Sequence, residues 1–372
     1  MYGGMLIMLV ISILIFFIAP CIAWMIHDYI RKKLGYNKNI KILFIYIIYL
    51  NVSTLSIISY RGINVYTWNP FTTTMSFRFK YIMFSTFLGI LTELILYYFL
   101  NKGITLREIK RYCIRIIQDI KKYFPYAIRA AKADLKAEVA NSFLDWMWWL
   151  IEPFCMMLIY TLMFGVVFDA SEQHFPIFIF IGITMWSFFT RGITGSVEMV
   201  RANKGIITKV YLPKYILLFS KLLVNGFKMF VSFAVIAVML VFFQVKVTFN
   251  ILGLLPIIIV FFLFTFGVGV ILMHYGVYVN DLSYIVGILL TMMMYLTGTF
   301  YDVAKRIPEP FGIVLENINP VAFLIAEMRN VVLYEQVLDW KLLLLWGGVS
   351  LVLIWIGAFT IYRNENSYVK VI

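Results

Sequence analysis

Charge is what this chain has least of. Asp, Glu, Lys and Arg together make up 14% of its 372 residues, against roughly 25% in an ordinary soluble domain. Hydrophobic residues make up 62% and the mean hydropathy is +0.89. No stretch is polar enough to fold alone in water, so the fold class is all-α integral membrane. Cysteine is also scarce. Cys21, Cys113 and Cys155 have no pair spacing, which excludes a disulfide framework and a thiolate metal site. The three histidines, His27, His174 and His274, are scattered, and no HExxH, CxxC or Ser-His-Asp spacing accompanies them. A structural role is expected for each. No lysine is followed by Ser or Thr, so the chain has no GK[ST] phosphate loop. Neither catalytic residues nor a metal nor a cofactor is expected in this chain.

The charge that is present is one-sided. A net charge of +13 would suggest nucleic acid in a soluble protein. In a membrane protein it is explained by basic loops on the cytoplasmic side, and no nucleic-acid partner is expected. The N-terminus has no basic residue before its apolar run, and that run exceeds a signal-peptide core, so no cleaved signal is expected.

Hydropathy predicts about nine spans. Three lie in an N-terminal extension, residues 1–100: 4–26, 42–60 and 80–100. Six follow: 146–168, 176–196, 222–243, 252–275, 285–300 and 342–362. The eighth is short, with a break expected near Gly298. Basic clusters at 27–41, 101–125 and 198–221 all fall on one side if the N-terminus is outside and the C-terminus cytoplasmic. The acid-bearing loops 169–175 and 301–341 then face outward.

Between the two groups lie two amphipathic segments. Residues 101–125 form a basic linker helix with a Thr105/Glu108 capping box, stopped by Pro125. From Tyr126 a second helix carries Ile128, Ala131, Leu135, Val139, Phe143 and Trp146 on one stripe and Arg129, Lys132 and Lys136 off it. It is expected to lie along the membrane surface and to feed without a break into the fourth span. In the outer loop, 311–315 and 320–333 are predicted as a short helix pair with Glu327 and Arg329 on a polar face, re-entrant or interfacial.

Charges inside apolar runs are costly and few: Glu93, Glu152, Arg191 and Lys228. The last three fall near predicted cytoplasmic ends, where they can snorkel or pair. Aromatics cluster at Trp146, Trp148, Trp149, Tyr160, Trp186 and Phe189. Membrane-interface belts and a sugar-stacking wall are both consistent with that, and spacing by itself favours the belts.

Three stretches carry a resemblance: SFLDWMWWLIEPFCMMLIYTLMFGVVF, GITMWSFFTRGITGSVEMVRANKGIITKVYLPK and NPVAFLIAEMRNVVL. In order and spacing, residues 126–372 resemble the membrane subunit of ABC-type polysaccharide exporters, which export teichoic acid, O antigen and capsule. Asn280 and the TGTFY segment depart from the family pattern, and the extension is not part of it. The resemblance implies a type-2 ABC exporter permease fold over the last six spans, acting as a homodimer in a bacterial cytoplasmic membrane. It implies two separate nucleotide-binding subunits, which would hold the ATP and Mg. Asn203, Lys204, Leu212, Pro213 and Asp281 would contact those subunits. Trp146, Trp149, Tyr160, Trp186 and Phe189 would line the glycan path. Arg129, Lys132 and Lys136 would form a rim for the head group of a lipid-linked glycan, and Pro308, Pro310, Pro320 and Arg329 an outer gate. A drug or small-lipid exporter of the same superfamily is the alternative. A membrane transferase using a polyprenyl carrier lacks the grouped acids or histidines it would need.

Overall fold

The computed structural model describes residues 106–140, 143–167, 172–246, 248–307 and 311–371. The N-terminal extension, with Glu93 and Thr105, lies outside them, as do Pro308 and Pro310. The chain divides into two units, Met1–Glu108 and Ile109–Ile372.

All described elements are helices. A long α1 (Leu106–Val139) leads through a 3-10 turn, Asp145–Met147, to α2 (Trp148–Tyr160), which continues as a π-helix over Thr161–Val167. Then come α3 (Phe175–Ala202), the single-turn α4 (Lys204–Ile207) and α5 (Lys214–Phe242). After a 3-10 turn follow α6 (Leu254–Tyr278) and α7 (Leu282–Leu296). Short helices α8 (Val303–Arg306), α9 (Phe311–Ile318) and α10 (Pro320–Val332) precede the last, α11 (Trp340–Val371).

Among the described residues, five helices are long and apolar enough to cross a membrane: 148–165, 175–202, 214–242, 249–278 and 340–365. The expected eighth span is the 15-residue α7. It stops short because the chain turns at Gly298, whose φ of 66° an L side chain rarely adopts. Helix α3 is the axis of the bundle. Of its apolar window 72% is buried, against 6% for α2, so α2 leans on the outside. Its π-helical end rests on Phe300, with Phe164 stacked at 4.7 Å and Tyr160 at 4.6 Å.

Two expectations about α1 are corrected. Pro125 does not stop it: one helix runs through. The proline removes only the bond to the carbonyl of Lys121, an exposed residue that water can serve. Burial of Ala127 and Ala131, at 0% and 6% exposure, holds the second half in place. Nor does α1 run into α2 unbroken, because it ends at Val139 and the 3-10 turn intervenes. The apolar stripe holds through Val139, but Phe143 is fully exposed.

Asp119 ties α1 to the bundle. It accepts hydrogen bonds from the hydroxyls of Tyr215 on α5, at 2.8 Å, and of Tyr362 on α11. The Arg115 guanidinium lies 4.3 Å over the Tyr362 ring. At the other end of α1, Glu138 pairs with Lys228 and, at 3.7 Å, with Lys221.

Candidate functional site

Helix α3 works as a ruler. From Phe178 to Asn203 it rises about 37 Å at 1.5 Å per residue, enough to traverse a hydrocarbon core of ~30 Å. Three groups of functional candidates sit along it in order: a polar cavity at its start, an aromatic cavity at its middle and a sharp turn at its end.

At the turn, the amide of Asn203 donates 2.8 Å to the Met199 carbonyl and closes α3. Lys204 begins α4 and is exposed. Leu212 is buried, and Pro213 caps α5. Arg201 donates 3.0 Å to the Val277 carbonyl at the end of α6. That bond places Asp281, the exposed residue before α7, at the same end of the bundle as α4. The base of the turn is fixed by Lys214, paired with Glu365 at 3.6 Å, and by Tyr211, bonded to Glu365 and to Arg115. Ile206, Val210 and Tyr211 stand out from it, at 41%, 60% and 54% exposure. Sequence reading missed all three, since single apolar residues in a basic loop give no signal.

The middle cavity, about 270 Å³, opens between α2, α3 and α5. Trp149, Tyr160 and Trp186 line it. Trp146 and Phe189 do not. Trp146 is 55% exposed, and Phe189 is packed in the core against Phe261 and Phe264. Three charges join the aromatics: Glu152, Arg191 and Lys228. Arg191 donates 2.8 Å to Glu152, so these charges pair as their placement near span ends allowed. No sequence pattern singles out Thr184, Thr190 and Asn225. Each puts a buried polar atom at this cavity with no hydrogen-bond partner among the described residues. Buried polar groups are nearly always bonded, so three together mark a place prepared for a polar ligand or ordered water. Arg129, Lys132 and Lys136 line neither cavity and lie exposed along α1.

The polar cavity, about 740 Å³, is bounded by the start of α3, the end of α5, α8 and α10. Arg329 forms its floor. It is 4% exposed and donates to the carbonyls of Phe178, Gly298 and Thr299, at 3.2, 2.8 and 2.8 Å. Glu327 is buried as well, accepting from the Asp339 amide at 3.0 Å and from Asn330. Both residues of the polar face of α10 thus point inward, Arg329 onto backbone carbonyls and Glu327 onto the Asp339 amide. Pro320 is the first residue of α10, behind an Asn319 side chain that accepts from the amides of Val321 and Ala322.

A model of the ABC-2 type transporter family matches residues 129–333, more than half of the chain. The chain belongs to the ABC-2 type transporter family. The match takes in α4, the middle cavity, most of the polar cavity and Arg329. The chain is also similar to the O-antigen export system permease protein RfbA of Myxococcus xanthus. The two are 27% identical over 253 residues, 68% of this chain and 97% of that protein. An RfbA of Klebsiella pneumoniae is 25% identical over 218 residues, 58% of this chain and 83% of that protein. This ABC-2 chain is thus a multi-pass membrane protein.

The polar cavity of this ABC-2 chain also holds an abnormal acid. Burial, with repulsion from Asp302 and Glu327, raises the Glu316 carboxyl to about 7, although the Ala304 amide and Arg329 pull it down. Between the ordinary carboxylate value of about 4.3 and about 7, the folded chain keeps a proton that the unfolded chain has lost. Stability attributable to Glu316 therefore falls as pH rises through that window and is flat above it. Glu316→Gln is expected to remove that fall and to raise stability at about pH 7.5 by about 3 kcal/mol relative to wild type, with no gain near pH 4. Thermal melts of both proteins in detergent across this range check it.

Proposed function

We propose that this chain is the membrane subunit of an ATP-driven exporter that moves a lipid-linked polysaccharide across a bacterial cytoplasmic membrane. The observation that carries the reading is the match along nearly the whole length of an O-antigen export permease. The middle cavity supports it chemically. Aromatic faces at Trp149, Tyr160 and Trp186 suit the apolar faces of sugar rings. Arg191 and Lys228 beside them suit a pyrophosphate. Arg129, Lys132 and Lys136 form an approach rim for that head group, drawing it along the cytoplasmic surface.

Fuel comes from elsewhere in this reading. The chain has no GK[ST] loop, so two nucleotide-binding subunits supply ATP hydrolysis. Asn203, Lys204, Leu212, Pro213 and Asp281 shape the surface on which they dock, with exposed Ile206, Val210 and Tyr211 as its apolar contacts. The exposed face of α2 then meets a second copy of the chain, and the N-terminus is outside. ATP-driven closure pushes on α4, and α3 carries the displacement to the cavities as a rigid rod.

Two measurements test this. Purification in mild detergent is expected to recover an ATPase subunit in equal ratio. Isolation of the bare chain, with export unaffected by nucleotide depletion, overturns the reading. Reversing the rim with Lys132→Glu and Lys136→Glu is expected to lower surface polysaccharide at least tenfold at normal insertion, at about 1 kcal/mol per surface cation removed and more for its reversal. Unchanged export removes the rim from the mechanism.

A further inference from the structure

The geometry points to the polar cavity over Arg329 as a second glycan site, one that holds a short, lipid-free stretch of saccharide after it has passed the middle cavity. The inference rests on the export reading and adds a place where sugar is bound. At about 740 Å³ the cavity falls within the ~300–1,000 Å³ of small-molecule sites. Its lining is neither apolar nor of one sign. The amides of Gln173, Gln244 and Gln336 stand among both acids and bases. An apolar drug meets a lining in which charged and amide side chains outnumber the apolar ones, and a free anion meets carboxylates. A hydroxyl-rich neutral chain finds donors and acceptors on every side.

Two further observations single this cavity out. Tyr334 presents to it a buried hydroxyl with no hydrogen-bond partner among the described residues. Backbone strain is concentrated there as well. Among the described residues, the non-glycine positions at positive φ are His174, Gln244 and Glu335, at 53°, 52° and 55°, and all three line this cavity. Gln244 and Glu335 follow the ends of α5 and α10, where glycine is the residue without strain. Keeping long polar side chains at such positions costs stability and gains side chains that can reach a ligand.

The same strain supplies variants that leave the fold intact. Gln244→Gly relieves a left-handed residue, and Tyr334→Phe removes an unpaired hydroxyl. Neither is expected to lower the melting temperature. The test uses the full chain in nanodiscs, titrated calorimetrically with polysaccharide released by mild acid from the source cell's own envelope. Saturable binding is expected, weakened about fivefold to tenfold in each variant, the loss of one or two hydrogen bonds. Binding unchanged in both variants, or no binding by wild type, overturns the second site. Deleting the gene separates the two ideas. Loss of surface polysaccharide in the deleted cell, with no binding of released glycan by the chain, overturns this site and leaves the export reading standing. Undiminished surface polysaccharide overturns the export reading and this site with it.

Discussion

Arg329→Ala is expected to destabilise the α3–α10 end of the bundle by about 4 kcal/mol or more, the largest loss for any single side chain here. Its guanidinium is the donor for three carbonyls, those of Phe178, Gly298 and Thr299, and lies 3.5 Å over the Phe178 ring. An alanine leaves the Gly298 and Thr299 carbonyls without that donor, at about 1–3 kcal/mol each, while the Phe178 carbonyl keeps its helical bond within α3. Burial draws the guanidinium down to about 9, still charged at neutral pH. Arg329→Lys keeps the charge but loses the planar fork, and is expected to recover less than half of the loss. Gly182 belongs to the same unit. A Cβ there would lie 2.5 Å from the Thr299 carbonyl oxygen and collide with the guanidinium, so Gly182→Ala is expected to cost about 2–3 kcal/mol. The double variant should lose less than the sum, because the two changes disrupt one contact. Melting of the four proteins in detergent decides it, and an Arg329→Ala protein that melts like wild type would show that the carbonyls have other donors.

The second large effect is expected at Gly276, where α6 passes α3 with backbones nearly touching. A Cβ at Gly276 would fall on the Val197 carbonyl, 2.8 Å from its carbon and 3.1 Å from the Cα. No side chain can move aside, since what it meets is backbone. The helices must separate, and Val197, Met273 and Val277, all buried around the contact, lose their packing. Gly276→Val is expected to cost about 3 kcal/mol or more, seen as loss of monodisperse protein after detergent extraction. Gly287→Ala on α7, where a Cβ meets nothing within 4 Å, serves as control and is expected to change melting little. Small residues are what let membrane helices approach this closely.

The effects at Arg329 and Gly276 could not be read from the chain. Arg329 in the sequence is one base on a short amphipathic helix, and surface exposure is the ordinary expectation for such a residue. Its three carbonyl partners lie 31, 30 and 151 residues away. Phe189 was grouped with Trp186 because they are neighbours in an aromatic cluster. A three-residue step on α3 instead turns one toward the cavity and the other toward Phe261 and Phe264. Pro125 predicts a stop because proline costs a helix about 3 kcal/mol in isolation, whereas burial of Ala127 and Ala131 opposes that cost here. The start of α5 was placed at 222 and lies at Lys214, because the pairing of Lys214 with Glu365 across the bundle hides a charge that hydropathy counts as exposed.

By itself the sequence determined that this chain lives in a membrane, which of the described stretches form its apolar helices, and that it carries no GK[ST] phosphate loop. Those are sums or patterns over neighbouring residues, and neighbours in the chain are enough to establish them. Only the tertiary structure decided which charges are paired, which aromatics face a cavity and which backbone carbonyls need an arginine. Those depend on side chains from helices far apart in sequence meeting at ångström distances, and no local pattern encodes that.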